Sequence, residues 1–125
     1  MAKYSKNYDL ESRTLEFSAE IIAFIKKLNK DIVNIPIINQ IIRSATSIGA
    51  NYREANGASS KKDFHNKIYI CKKECKETKY WIELLAKANP EEAEKCRELW
   101  KESQELTLIF SKIALTLKNK KEIKI

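Results

Sequence analysis

The apolar positions of this chain fall into four stretches whose steps alternate between three and four residues, the spacing that stacks side chains along one face of an α-helix. The first stretch starts at Asp9 and places Leu10, Thr14, Phe17, Ile21, Phe24 and Leu28 on one face. A second row of Leu15, Ile22 and Ile25 widens that face, so this helix is expected to touch more than one neighbour. Asn29, Lys30 and Asp31 end it. The second helix is expected to begin near Pro36, a residue suited to a first helical turn, with Asn34 as its cap. Its core row is Ile38, Ile41, Ala45, Ile48, Tyr52 and Ala55, and Asn56-Gly57 predicts a left-handed stop.

Ser60-Lys61-Lys62-Asp63 reads as a capping box for the third helix. Phe64, Ile68, Cys71, Cys75, Thr78, Ile82 and Leu85 form its core row, flanked by Tyr69, Ile70, Trp81 and Leu84. Asn89-Pro90-Glu91-Glu92 supplies a cap, a first-turn proline and two carboxylates matched to a helix N-terminus. The fourth helix follows with Cys96, Leu99, Ser103, Leu106, Phe110, Ile113 and Leu117 in register. Four amphipathic helices joined by short connections predict an all-α fold, an antiparallel up-down-up-down four-helix bundle. One domain is expected over residues 1–125, with residues 1–8 and 118–125 frayed. Two glycines and two prolines leave little material for the turns of an all-β fold.

The side of the second helix opposite its core row carries Arg43, Ser47, Ala50 and Glu54, with Ser44 beside them. Solvated faces usually carry long charged side chains, whereas small ones permit close helix approach, so this side is expected to be a contact surface.

Charge sharpens the picture because the net +7 is unevenly spread. Between residues 61 and 87 eight lysines face Asp63, Glu74, Glu77 and Glu83, and between 118 and 125 four lysines face Glu122. Residues 90–117 are mildly acidic. Lys61, Lys62, Lys72, Lys73, Lys76 and Lys79 fall off the core row, and Lys118, Lys120, Lys121 and Lys124 form a basic tail. With Arg43 and Arg53 they are candidate phosphate contacts, since lysines that neutralise phosphates release counterions and bind without reading sequence. Tyr69, Tyr80 and Trp81 have rings able to stack on bases, yet their spacings assign them to the core.

No chemistry of catalysis emerges. Cys71, Cys75 and Cys96 lie on core rows, where free cysteine behaves as a small apolar residue. A zinc site would want a fourth ligand, and the one histidine, His65, lies outside the core register. A diiron centre needs Glu three residues before His, and that position holds Lys62. Glu74 and Glu77, with lysines alongside, read as surface ion pairs. The expectation is a protein that is not an enzyme and uses no metal or cofactor. No apolar run approaches the roughly 18 residues of a membrane span, and the start lacks the apolar middle of a secretory signal, so a cytoplasmic location and no membrane partner are expected.

Three blocks carry a family resemblance: Arg43-Ser44-Ala45-Thr46-Ser47-Ile48-Gly49-Ala50-Asn51-Tyr52-Arg53-Glu54-Ala55, Ser60-Lys61-Lys62-Asp63-Phe64, and Glu77-Thr78-Lys79-Tyr80-Trp81-Ile82-Glu83-Leu84-Leu85. Their order and spacing resemble the four helix bundle proteins of the 23S rRNA intervening-sequence family, small bacterial proteins that assemble into pentamers. A related branch, the accessory variability proteins of diversity-generating retroelements, forms basic pentameric barrels that bind nucleic acid and a reverse transcriptase. The resemblance implies a homo-oligomer, a homopentamer, which makes the side with Arg43, Ser44, Ser47, Ala50 and Glu54 the expected oligomer interface, and with the basic helix it implies a nucleic-acid-binding accessory acting on structured RNA. The competing expectation is an adaptor for a protein partner, for example a reverse transcriptase, with no nucleic-acid role of its own.

Overall fold

The computed structural model describes residues 9–123, with side chains through 119. The chain forms α1 (Leu10–Lys26), α2 (Asn34–Asn56), α3 (Lys61–Ala88) and α4 (Ala93–Ile123), with a 3₁₀ turn at Pro90–Glu92 ahead of α4. The predicted fraying of residues 1–8, and Lys124, lie outside the described residues. At the other end α4 stays helical past Lys118 to Ile123, where the sequence predicts fraying. Lysine is a good helix former, and cations are favoured near a helix C-terminus.

Cross-helix contacts fix the direction of each element. Glu11 early in α1 accepts from Asn56 at the end of α2 at 2.8 Å. Glu54 late in α2 accepts from Lys67 early in α3 at 2.7 Å, and Glu83 late in α3 accepts from the Trp100 indole early in α4 at 2.9 Å. Each consecutive pair is therefore antiparallel, and the Arg13 contact with Glu102 joins α1 to α4. The fold is the up-down-up-down four-helix bundle that the periodicity predicts. Phe17, Ile21, Ile41, Ile48, Ile68, Ile82, Leu85, Leu99, Leu106 and Phe110 fill its centre, all taken from the predicted core rows. Leu15 and Ile22 depart from expectation: they stay exposed on the outer flank of α1, and only Ile25 of that second row is buried.

Helix ends show where local chemistry was read correctly and where packing intervened. Ser60 caps α3 as predicted, its Oγ accepting from the Asp63 amide at 3.0 Å. Asp31, not Asn34, caps α2, its Oδ1 accepting from the amides of Val33 and Asn34. Asn34 is buried instead, and it exchanges two amide hydrogen bonds with Asn89, at 3.1 and 2.9 Å. Asn89 precedes the 3₁₀ turn but makes no side-chain cap there; its Nδ2 donates instead to Asn34 and to the Leu85 carbonyl at the end of α3. Gly57 does not adopt a left-handed conformation. Its φ is −98°, and its amide donates to the carbonyls of Arg53 and Glu54.

Small side chains set the seams. A Cβ on Gly49 would lie 3.0 Å from Thr14 Oγ1 and 3.2 Å from Thr14 Cβ, so α1 and α2 approach where a glycine leaves room. Ser18 donates across the same seam to the Ala45 carbonyl, and Ser103 donates across the α3–α4 seam to that of Cys75. Among the described residues no helix is long and apolar enough to cross a membrane.

Candidate nucleic-acid interface

α3 packs against α2 on one side and α4 on the other, leaving a third side to solvent. Helical geometry places Lys62, Tyr69, Lys73, Lys76, Tyr80 and Lys87 on that outer side, and all six are exposed. The sequence expectation for the tyrosines is thereby corrected: Tyr69 is 45% and Tyr80 57% exposed. Tyr69 follows the buried Ile68, which rotates it about 100° off the core row, and Tyr80 stands two residues past Thr78, about 200° round. Trp81 is half-buried and packs on the core, with its indole N–H donating to Glu77 at 3.0 Å.

Both exposed rings are held by aromatic neighbours. His65 stacks on Tyr69 with centroids 4.8 Å apart, and Lys72 Nζ lies 5.9 Å from the Tyr69 centroid. Tyr80 meets Trp81 edge-on at 5.0 Å. The tyrosines stand about three turns apart, roughly 16 Å along the axis at 1.5 Å per residue.

The predicted phosphate contacts divide by what already engages them. Lys61, Lys62 and Lys76 are exposed, as is Lys73, whose ammonium is 3.9 Å from Glu74. Lys72 and Lys79 are half-buried, and Lys79 serves the α3–α4 seam by donating to Gln104 and lying 5.3 Å over the Trp100 ring. Arg43 is engaged within the molecule: it donates to Glu74 at 3.2 Å, to Glu77, and to Gln40 at 3.1 Å. A phosphate there would have to displace two carboxylates. Arg53 is exposed on the opposite flank of α2, 3.9 Å from Glu11. Lys118 is exposed on α4, beyond Leu117, which shares a shallow depression with Ser60, Lys61 and Phe64 and so brings that end of α4 to the start of α3. The side chains of Lys120 and Lys121 lie outside the described residues. Lys87, left out of the sequence assignment, joins the row; its position opposite the α3 core was the available signal.

Glu74 and Glu77 are ion-paired as predicted, but chiefly to Arg43 from α2 rather than to neighbouring lysines on α3. The Trp81 N–H, and then Arg43, hold the Glu77 carboxyl below its usual range.

Of the five residues of the expected oligomer interface, Ser44 is the one buried inside the bundle. Ser44 is 0% exposed, and its hydroxyl lies 2.9 Å from that of Thr78 on α3. Arg43 and Glu54 reach carboxylates and Lys67 of α3. Ser47 is half-buried and accepts from Asn51 through both its Oγ and its carbonyl. The buried sector of α2 is wide because it touches two neighbours, and Ser44 falls within it at the α2–α3 seam. Ala50 alone of the five remains exposed without an ion pair to α3. Exposed apolar side chains lie elsewhere: Leu15 and Ile22 of α1 with Ile35 and Ile42 of α2 along the outside of that pair, and Leu108 with Leu115 outside α4.

The cysteines are core residues. Burial pushes the thiol of Cys71 up to about 12 and that of Cys96 up to about 11, and raises Cys75 as well. Among the described residues no group of three His, Cys, Asp or Glu side chains is placed to hold a metal ion.

A sequence profile of the family described as 23S rRNA-intervening sequence protein matches residues 6–112. Among solved structures, the chain is similar to the 1.70 Å crystal structure of a protein with unknown function from the S23 ribosomal protein family of Bacteroides thetaiotaomicron VPI-5482. That protein is 37% identical with a TM-score of 0.76, over 85% of this chain and 98% of the other. Among curated proteins, none matches.

Proposed function

The chain belongs to the 23S rRNA-intervening sequence protein family, and from that premise we propose that it is a homo-oligomeric, non-enzymatic accessory protein of the cytoplasm that binds structured RNA. The observation carrying this reading is the outer side of α3, where Lys62, Lys73, Lys76 and Lys87 stand exposed in one row. Phosphate contacts from such a row position a polyanion without reading its sequence. In a ring of five, the net +7 of each subunit would be repeated around a strongly basic particle.

Self-association is supported by exposed apolar side chains rather than by the small residues of α2. Leu15, Ile22, Ile35 and Ile42, with Ala50 alongside, form one candidate surface, and Leu108 with Leu115 forms another on a different helix. Two unlike surfaces suit a head-to-tail contact, the kind that closes into a ring when the rotation allows. The same apolar side chains favour a second reading, an adaptor whose α1–α2 surface receives a protein partner.

The test is the solution mass of the protein alone and mixed with a structured RNA at low and moderate salt. A pentamer that gains mass with RNA and loses it as salt rises supports the proposal. An oligomer that ignores RNA at low salt contradicts it and favours the adaptor.

A further inference from the structure

We infer that the outer side of α3 takes single-stranded nucleic acid, such as the loops and bulges of a folded RNA, with Tyr69 and Tyr80 as stacking platforms for unpaired bases. This rests on the proposed phosphate-binding role of the same face and goes beyond it, because lysines alone would not distinguish a paired strand from an unpaired one.

The placement of the rings carries the argument. A single exposed tyrosine is ordinary on a solvated helix, but aromatic rings grouped with cations on one uncovered side form a surface suited to stacked bases. Here two occur on the one side of α3 that no helix covers, interleaved with Lys62, Lys73, Lys76 and Lys87. Each ring is braced from within the protein, Tyr69 by His65 stacked at 4.8 Å and Tyr80 by Trp81 at 5.0 Å. Bracing limits the side-chain freedom lost when a base arrives. The Lys72 ammonium lies over the Tyr69 ring, 5.9 Å from its centre, and adds a cation at that platform.

Spacing narrows the ligand further. Bases stacked at about 3.4 Å per step would need roughly five steps to cover the 16 Å between the rings, so the tyrosines receive bases that are not adjacent. Paired bases in an A-form duplex present their edges and not their faces to a protein, whereas unpaired bases can be splayed onto aromatic rings. Charge on the lysines would hold the intervening phosphates, which makes the site tolerant of sequence.

Fluorescence anisotropy at low salt with three labelled probes tests this: single-stranded oligouridine, an RNA duplex with the same number of phosphates, and an abasic strand of the same length. Oligouridine is expected to bind about 100-fold tighter than the duplex or the abasic strand, about 10-fold for each of two stacked bases. Tyr69→Leu and Tyr80→Leu should each weaken oligouridine by about 10-fold and leave the abasic strand unchanged, while Tyr80→Phe, which keeps the ring, should bind as the parent does. Both positions are exposed, and an unchanged far-UV circular dichroism spectrum confirms that the variants fold. Equal binding of oligouridine and abasic strand, or unchanged binding by the Leu variants, overturns the stacking inference while leaving phosphate contact intact. Failure of all three probes to bind at low salt overturns the phosphate reading as well.

Discussion

Arg13 of α1 grips Glu102 of α4 with a bidentate pair, Nε and Nη2 each 2.8 Å from a carboxylate oxygen, and both side chains are almost wholly withdrawn from water. Glu105 accepts a further bond from the same guanidinium at 2.9 Å. α1 packs closely on α2 and only thinly on α4, so this pair closes the bundle where apolar packing is sparse.

Removing one partner of a buried pair strands the other charge. Glu102→Ala is expected to cost about 3–5 kcal/mol, at the lower end because Glu105 remains. The double variant Arg13→Met with Glu102→Leu should recover most of the loss, since no charge is left buried. Urea unfolding with an unchanged slope against denaturant checks both; a Glu102→Ala loss below about 0.5 kcal/mol would place the pair among surface bridges.

Asn34 and Asn89 tie the start of α2 to the end of α3 by a reciprocal amide exchange. Asn34→Ala should destabilise by about 1–3 kcal/mol, because Asn89 then keeps a buried oxygen without its donor. Replacing both by leucine is expected to cost less than the two single changes summed, which thermal unfolding of the set would show.

Gly49→Ala tests the α1–α2 seam. The added methyl would sit 3.0 Å from Thr14 Oγ1, and Thr14 is fully buried with that oxygen bonded to the Leu10 carbonyl at 2.7 Å. The expected loss is about 1–3 kcal/mol. Adding Thr14→Ala should make the double variant less unstable than additivity requires, a coupling that is absent if the seam is loose.

The thiols predict an alkaline weakness. Their folded values are raised by burial above the ordinary 9.0, to about 11 for Cys96 and about 12 for Cys71. Their contribution is therefore complete below pH 9 and declines from there up to pH 11–12, as the unfolded chain releases thiol protons that the folded chain retains. A Cys96→Ala variant should lose less stability between pH 9 and 11 than the parent. Folded protein should also react slowly with a thiol reagent at pH 8, and fast labelling of all three cysteines would contradict their burial.

How far the sequence reaches depends on how many neighbours a residue has. The core rows of all four helices were legible because a period of three and four residues is set by one helix alone, and Ser60 was legible as a cap because its partner, the Asp63 amide, is three residues away. Asn34 and Asn89 were misread for the opposite reason: each has local capping chemistry, but a partner 55 positions distant outcompetes it. Arg13 went unnoticed because nothing near it in sequence marks it as buried; Glu102 and Glu105 lie a whole bundle away. Ser44 was placed on a free face because periodicity gives the centre of the buried sector and not its width, which two neighbours enlarge. Tyr69 and Tyr80 were expected in the core because aromatic rings at such spacings usually pack there, although their angles relative to Ile68 and Thr78 set them off the core row.

Lysines on the outer side of α3 are proposed to hold phosphates, and this is tested by the salt dependence of RNA affinity for the parent and for Lys62→Gln/Lys73→Gln/Lys76→Gln. The parent should show a steep linear fall of log affinity with log salt, and the triple variant should bind more weakly with a slope shallower by about one for each lysine that contacts a phosphate. An affinity that does not move with salt, or a triple variant with the parental slope, would contradict the assignment of RNA to this face.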